Sequence, residues 1–223
     1  MKKKYFSILI LFAFVFSSCE KDNYDEPKSD LKGKVVTNTG ETLGVRGTEN
    51  AVQMQLWQDG YDNYESIEVY INQDGTFAAK VFDGQYKLVT RDNNGPWVND
   101  RDTLLVTVKG STSVEYIVKP YFTLSNEVFK VTDNILTATF DVSQFTAVTD
   151  RNIERITLYV GKTVFVDDSF KDKTQNAETP VIGSNTISMD ISSINHPVLY
   201  ARIGIRISGV DQMLYTVGSV KVK

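Results

Sequence analysis

An all-β protein of two tandem β-sandwich domains is predicted from three features of this 223-residue chain. Short segments of period-two alternation run from Leu31 to Val222, turn-forming Gly, Asn and Asp separate them, and no stretch between them has the length and period of an amphipathic helix. Period two sends alternate side chains to opposite faces, the pattern of a sheet with one face buried.

In the first domain, 31–119, the expected strands are Leu31 to Thr37, Val52 to Trp57, Ser66 to Ile71, Thr76 to Phe82, Gln85 to Thr90, Thr103 to Val108 and Ser113 to Val118. Asn38-Thr39-Gly40-Glu41, Asp74-Gly75 and Asp83-Gly84 mark turns, since Asn and Gly tolerate the positive φ of tight reversals. Lys119-Pro120-Tyr121 breaks the pattern, because proline cannot donate to a ladder and restrains the residue before it. The second domain, 120–223, then runs Thr123 to Val131, Ile135 to Val142, Ile153 to Val160, Thr163 to Val166, Thr186 to Ile191, Leu199 to Ser208 and Tyr215 to Val222. Its clearest strand sets Leu199, Ala201, Ile203, Ile205 and Ile207 on one face and Tyr200, Arg202 and Arg206 on the other. Seven such strands in about 100 residues suit an immunoglobulin-like or fibronectin-like sandwich.

The first 18 residues read as a signal peptide: Lys2, Lys3 and Lys4, an apolar run from Tyr5 to Phe16, then small Ser17 and Ser18 before Cys19. As a helix the run spans roughly 18 Å, short of the roughly 30 Å bilayer core. Phe16-Ser17-Ser18-Cys19 resembles the lipobox of bacterial lipoproteins, although Phe16 replaces the usual leucine. That resemblance implies lipidation at Cys19, the chain's single cysteine. Residues 19–30 then form an acidic stalk without apolar periodicity. Glu20-Lys21-Asp22-Asn23-Tyr24-Asp25-Glu26-Pro27 is similar to the export signal that sends Bacteroidota lipoproteins to the outer face of the outer membrane, which implies a protein facing the cell exterior; the alternative is a solvated spacer with no sorting role.

Composition narrows function. Loss of three leader lysines leaves 21 basic against 28 acidic residues, a net charge of −7. Nucleic-acid binding is disfavoured, because it needs a cationic face to displace counterions. With Cys19 acylated, no thiolate is left for catalysis or zinc. The single histidine, His196, precedes Pro197 in a polar loop and reads as a surface residue. Asp59 with Asp62, Asp100 with Asp102 and Asp167 with Asp168 lack EF-hand spacing, and no carboxylate pair is singled out for glycoside hydrolysis. A non-enzymatic protein without cofactor or metal is expected.

Gly33-Lys34-Val35-Val36, Gly40-Glu41-Thr42-Leu43, Gln53-Met54-Gln55-Leu56, Asp74-Gly75-Thr76-Phe77 and Gly84-Gln85-Tyr86-Lys87-Leu88 occur in the order seen in carboxypeptidase-regulatory-like, prealbumin-like sandwiches, which the first domain resembles. With Asn23-Tyr24-Asp25-Glu26-Pro27, Asn94-Gly95-Pro96-Trp97 and Val118-Lys119-Pro120-Tyr121, nearly the whole chain resembles a two-domain family of uncharacterised Bacteroidota outer-membrane lipoproteins. Members are encoded beside starch-utilisation-system-like pairs, a TonB-dependent transporter with its substrate-binding lipoprotein. The resemblance implies an accessory role in nutrient capture, with glycans as cargo and the transporter pair as partners. It supplies no binding site.

Neutral sugars are held by laying the apolar face of the ring on an exposed Trp or Tyr, with amides and carboxylates bonding the hydroxyls. Alternation sends Val52, Met54 and Leu56 inward and leaves Trp57 outside with Gln53 and Gln55. It sends Ile67, Val69 and Ile71 inward and leaves Tyr70 outside with Glu68. If the two segments pair, their outer face, flanked by Tyr61 and Tyr64, is either an oligosaccharide surface or an interface with the second domain or a larger partner. Trp97 is a second candidate, although its loop also suits a plug at the end of the sandwich. The alternative function is a docking or spacer subunit of the transporter complex with no glycan affinity.

Overall fold

The computed structural model describes residues 25–60, 62–145 and 148–223, and every regular element among them is a strand. The first module holds β1 (Ser29–Val36), β2 (Gln53–Trp57), β3 (Ile67–Tyr70), β4 (Thr76–Val81), β5 (Gly84–Thr90), β6 (Leu104–Val108) and β7 (Ser111–Ile117). They form two sheets, ordered β4-β1-β7 and β3-β2-β5-β6. Leu31, Val35, Met54, Leu56, Val69, Phe77, Leu88 and Val106 are buried in this module, each contributing about 1.5–3 kcal/mol.

The second module holds β8 (Phe122–Thr132), β9 (Ile135–Gln144), β10 (Ile153–Gly161), β11 (Lys173–Asn176), β12 (Gly183–Asp190), β13 (Tyr200–Ile207), β14 (Leu214–Tyr215) and β15 (Val220–Lys221). Its sheets run β12-β9-β8 and β11-β10-β13-β14, with β15 also pairing with β13. The architecture is thus all-β, two β-sandwiches in tandem.

A seam of buried polar contacts joins the modules. Arg202, on β13, is fully buried; its Nη2 donates to the carbonyls of Val45 and Gln73 in the first module at 2.8 and 2.7 Å, and its Nε to Thr216 at 3.1 Å. The Tyr215 ring lies against the guanidinium, 4.5 Å from centroid to Cζ. Burial pulls the guanidinium down to about 10, which leaves it charged at neutral pH. Beside it, Thr48 Oγ1 donates to the buried Asp167 carboxylate at 2.6 Å, and Gly44 forms a bridge with Tyr215. Trp97 bridges Pro120, and Val98 N donates to Lys119 O at 2.9 Å, which fixes the linker to the first module.

Four expectations change. Thr163 to Val166 is a loop, because the Asp167 carboxylate accepts from the amides of Ser169 and Phe170 and turns the chain there. Lys173–Asn176 is a strand that its four polar residues conceal. The segment Tyr215 to Val222 is broken into β14 and β15, with Gly218 at φ 75° between them. Ile67 is exposed rather than inward, since it ends the edge strand β3.

Candidate functional site

The β2 and β3 segments pair as a hairpin, with Gln53 opposite Tyr70 and Gln55 opposite Glu68. On the other side of β2, Trp57 lies opposite Lys87, which in turn lies opposite Leu105 of β6. Alternation therefore gathers Tyr70, Glu68, Gln53, Gln55, Trp57, Gln85, Lys87, Leu105 and Thr107 on the outer face of this sheet.

At one end of that face the Trp57 ring stacks on Tyr64, with centroids 5.0 Å apart and planes at 29°. Tyr64 is half exposed, at 50%. Lys87 Nζ meets the two Asp59 carboxylate oxygens at 2.9 and 2.7 Å beside the stack. Lys87 holds the Asp59 carboxyl below its ordinary value, and Asp59 raises the ammonium in return. A shallow depression of about 230 Å³ is lined here by Trp57, Asp59, Gln85, Lys87, Leu105 and Thr107, among others. Its size is below the roughly 300–1,000 Å³ of enclosing ligand pockets, so it is an open surface feature and not an enclosing cavity.

The other end is more polar. Tyr70 Oη donates to Glu68 at 2.9 Å, which pushes the phenol up, while Arg91 donates to Gln53. Arg101 Nη2 donates to Gln55 Oε1 at 2.9 Å. Trp57 and Tyr70 thus lie on one face but at opposite ends of the hairpin.

Trp97 does not join them. It is 4% exposed, packed in the core and bridged to Pro120, so it belongs to the joint and offers no ring to a ligand. Cys19 and Tyr61 lie outside the described residues. The acidic pairs take structural partners: Asp100 with Lys119 at 2.7 Å, Asp167 with Thr48, and Asp168 with Tyr159 at 3.1 Å and Arg155 at 3.4 Å. His196 Nε2 lies 3.6 Å from Asp172. Depressions of about 520 Å³ on the outer face of β4-β1-β7 and about 440 Å³ between β11 and β12 are lined by no Trp or Tyr, and one of about 260 Å³ at the joint includes only the buried Tyr215.

The Asp59–Lys87 pair and exposed Leu105 escaped sequence reasoning. Alternation places Gln85, Lys87, Leu105 and Thr107 outward within their own strands. Only the pairing of β5 with both β2 and β6 brings them to Trp57.

These features define a tandem β-sandwich protein with an open aromatic and amide surface. The chain belongs to the DUF3823 family: residues 29–119 match the N-terminal domain of that protein of unknown function, and residues 122–219 match its C-terminal domain, also of unknown function. The crystal structure of a DUF3823 family protein from Parabacteroides merdae is 43% identical, with a TM-score of 0.83 over 89% of this chain and 100% of that one. One from Bacteroides ovatus is 34% identical, with a TM-score of 0.78 over 88% and 98%. A Bacteroides uniformis structure, provisionally described as a carbohydrate binding protein, has the same fold at 21% identity and a TM-score of 0.70, over 88% and 99%. No curated protein matches the chain.

Proposed function

We propose that this protein is a lipid-anchored surface protein of the outer membrane that binds glycan, without catalysis, as an accessory to nutrient uptake. One observation carries the reading: the Trp57–Tyr64 stack lies beside the Asp59–Lys87 pair and Gln85 on an open sheet face. The aromatic pair supplies an apolar platform for a sugar ring. The charged and amide groups around it donate to and accept from hydroxyls. Cys19, directly after the leader, supplies the anchor, and the fold shared with the Bacteroides uniformis protein is compatible with a saccharide ligand.

A second reading is favoured by Leu105, 75% exposed on the same face. An exposed apolar side chain beside an aromatic ring suits a protein interface, so the surface would dock on the transporter pair with no glycan affinity. Calorimetry of the leaderless chain against a panel of oligosaccharides separates the two. Heat of binding that disappears in Trp57→Ala supports the first. Silence across the panel, together with co-purification of the native lipoprotein with a transporter, supports the second and overturns the first.

A further inference from the structure

The first module has two poles, and strand register fixes what lies at each. At one, Ser29 opens β1 against the turn Phe82-Asp83-Gly84. Ser29 Oγ donates to Asp83, and the Gly110 amide donates to both Ser29 Oγ and Asp83 Oδ1 at 3.1 Å. The Trp57 end of β2 belongs to this pole, because Gln58 packs on Gly84, where a Cβ would stand 2.5 Å from Gln58 Nε2. Phe82, 47% exposed, crowns it. At the opposite pole, Val45, Gln73 and Trp97 meet the second module and its linker. The eight residues of β1 separate the poles by about 26 Å.

We infer that the pole bearing the Trp57–Tyr64 surface faces the membrane, so that a saccharide held there lies within reach of an acceptor protein embedded in that membrane, with the second module held outward. The inference rests on the acylation of Cys19 proposed above. Ten residues lead from Cys19 to Ser29, a span of at most about 36 Å at full extension. The stalk pole therefore never stands farther than that from the bilayer. The second module joins at the other pole, and it cannot swing back without breaking the buried bonds of Arg202 to Val45 and Gln73.

Because Cys19 is the only native cysteine, a cysteine placed elsewhere is a unique labelling site once the anchor is acylated. Asp62→Cys lies in the Tyr64 loop, and Thr132→Cys lies at the end of β8 remote from Phe122, where the second module begins. The full lipidated chain, dye-labelled at either position, is incorporated into phosphatidylethanolamine and phosphatidylglycerol vesicles that carry a headgroup acceptor. Energy transfer from position 62 is expected to exceed that from position 132 at least threefold. A Gly/Ser insertion of 20 residues between Glu26 and Pro27 is expected to lower the position-62 signal. Equal transfer, or stronger transfer from position 132, overturns the orientation, as does a Cys19 thiol found unmodified by mass spectrometry. Saccharide binding by the leaderless Cys19→Ser chain is read separately. If it persists while the transfer order reverses, the orientation fails and the saccharide reading stands; if it is absent while the order holds, the converse applies.

Discussion

Arg202 Nη2 donates to the carbonyl of Val45, 157 positions earlier in the chain, across the seam between the two sandwiches. This buried guanidinium has no countercharge in hydrogen-bond contact: its Nε and Nη2 donate to main-chain carbonyls, its Nη1 is buried without a hydrogen-bond partner among the described residues, and the Tyr215 ring lies against it, so those three carbonyl contacts and the ring are what offset its desolvation. Arg202→Met removes the donors that the carbonyls of Val45, Gln73 and Thr216 accept from at the seam. We expect a loss of about 3 kcal/mol and a single thermal transition splitting into two, read by scanning calorimetry. Arg202→Lys is not expected to restore coupling, because an ammonium lacks the planar fork that reaches these carbonyls together. One unsplit transition at the wild-type temperature in Arg202→Met would remove the seam from the account.

Gly44 tests the same seam through the backbone. A Cβ there would stand 2.4 Å from the carbonyl oxygens of both Tyr215 and Thr216, and main-chain atoms of a sheet cannot yield as a side chain does. Gly44→Ala is expected to cost roughly 1–3 kcal/mol in urea unfolding. The loss should not add to that of Arg202→Met, since both act on one interface.

The two tryptophans separate ligand contact from structure. Trp57→Ala or Tyr64→Ala should weaken saccharide binding at least tenfold, about 1.4 kcal/mol, with little change in the urea midpoint. Trp97→Ala should cost about 3–5 kcal/mol of stability. In Trp97→Phe, saccharide should change the fluorescence of the one remaining tryptophan; in Trp57→Phe it should leave emission unaltered.

Alkaline pH bears on the same interior. Burial pushes the Tyr159 phenol up to about 12 and the Tyr215 phenol higher still. Above about pH 10 the unfolded chain releases these protons while the native chain keeps them, so stability falls as pH rises. Arg202, pulled down to about 10, acts in the opposite sense, and two phenols outweigh one guanidinium. Urea unfolding is expected to be unaffected by these groups below pH 10 and to weaken between pH 10 and 12, with a shallower fall in Tyr159→Phe. The absorbance of tyrosinate near pH 11 should show both phenols protonated in the native chain and ionised on unfolding.

The sequence carried the strands well where one face is apolar and failed where neighbours decide burial. Leu199 to Ile207 alternates as read, and Arg202 does leave the sandwich core, but the first module covers it, which no pattern within one strand reveals. Trp97 could be either site or plug by local reading, and contact with Pro120 makes it the plug. Trp57 and Tyr70 were legible as outward aromatics and Tyr64 as part of the loop flanking them; the Asp59–Lys87 pair beside them depends on cross-strand register. Lys173–Asn176 escaped because four polar residues on an edge give no alternation.

Affinity electrophoresis through gels containing a panel of polysaccharides, with wild-type and Trp57→Ala chains run side by side, decides whether the Trp57 surface holds saccharide. At least one polysaccharide is expected to retard the wild type, and Trp57→Ala is expected to run as it does without polysaccharide. Equal mobility of the two chains in every gel, with the Trp57→Ala chain folded, would contradict the saccharide reading.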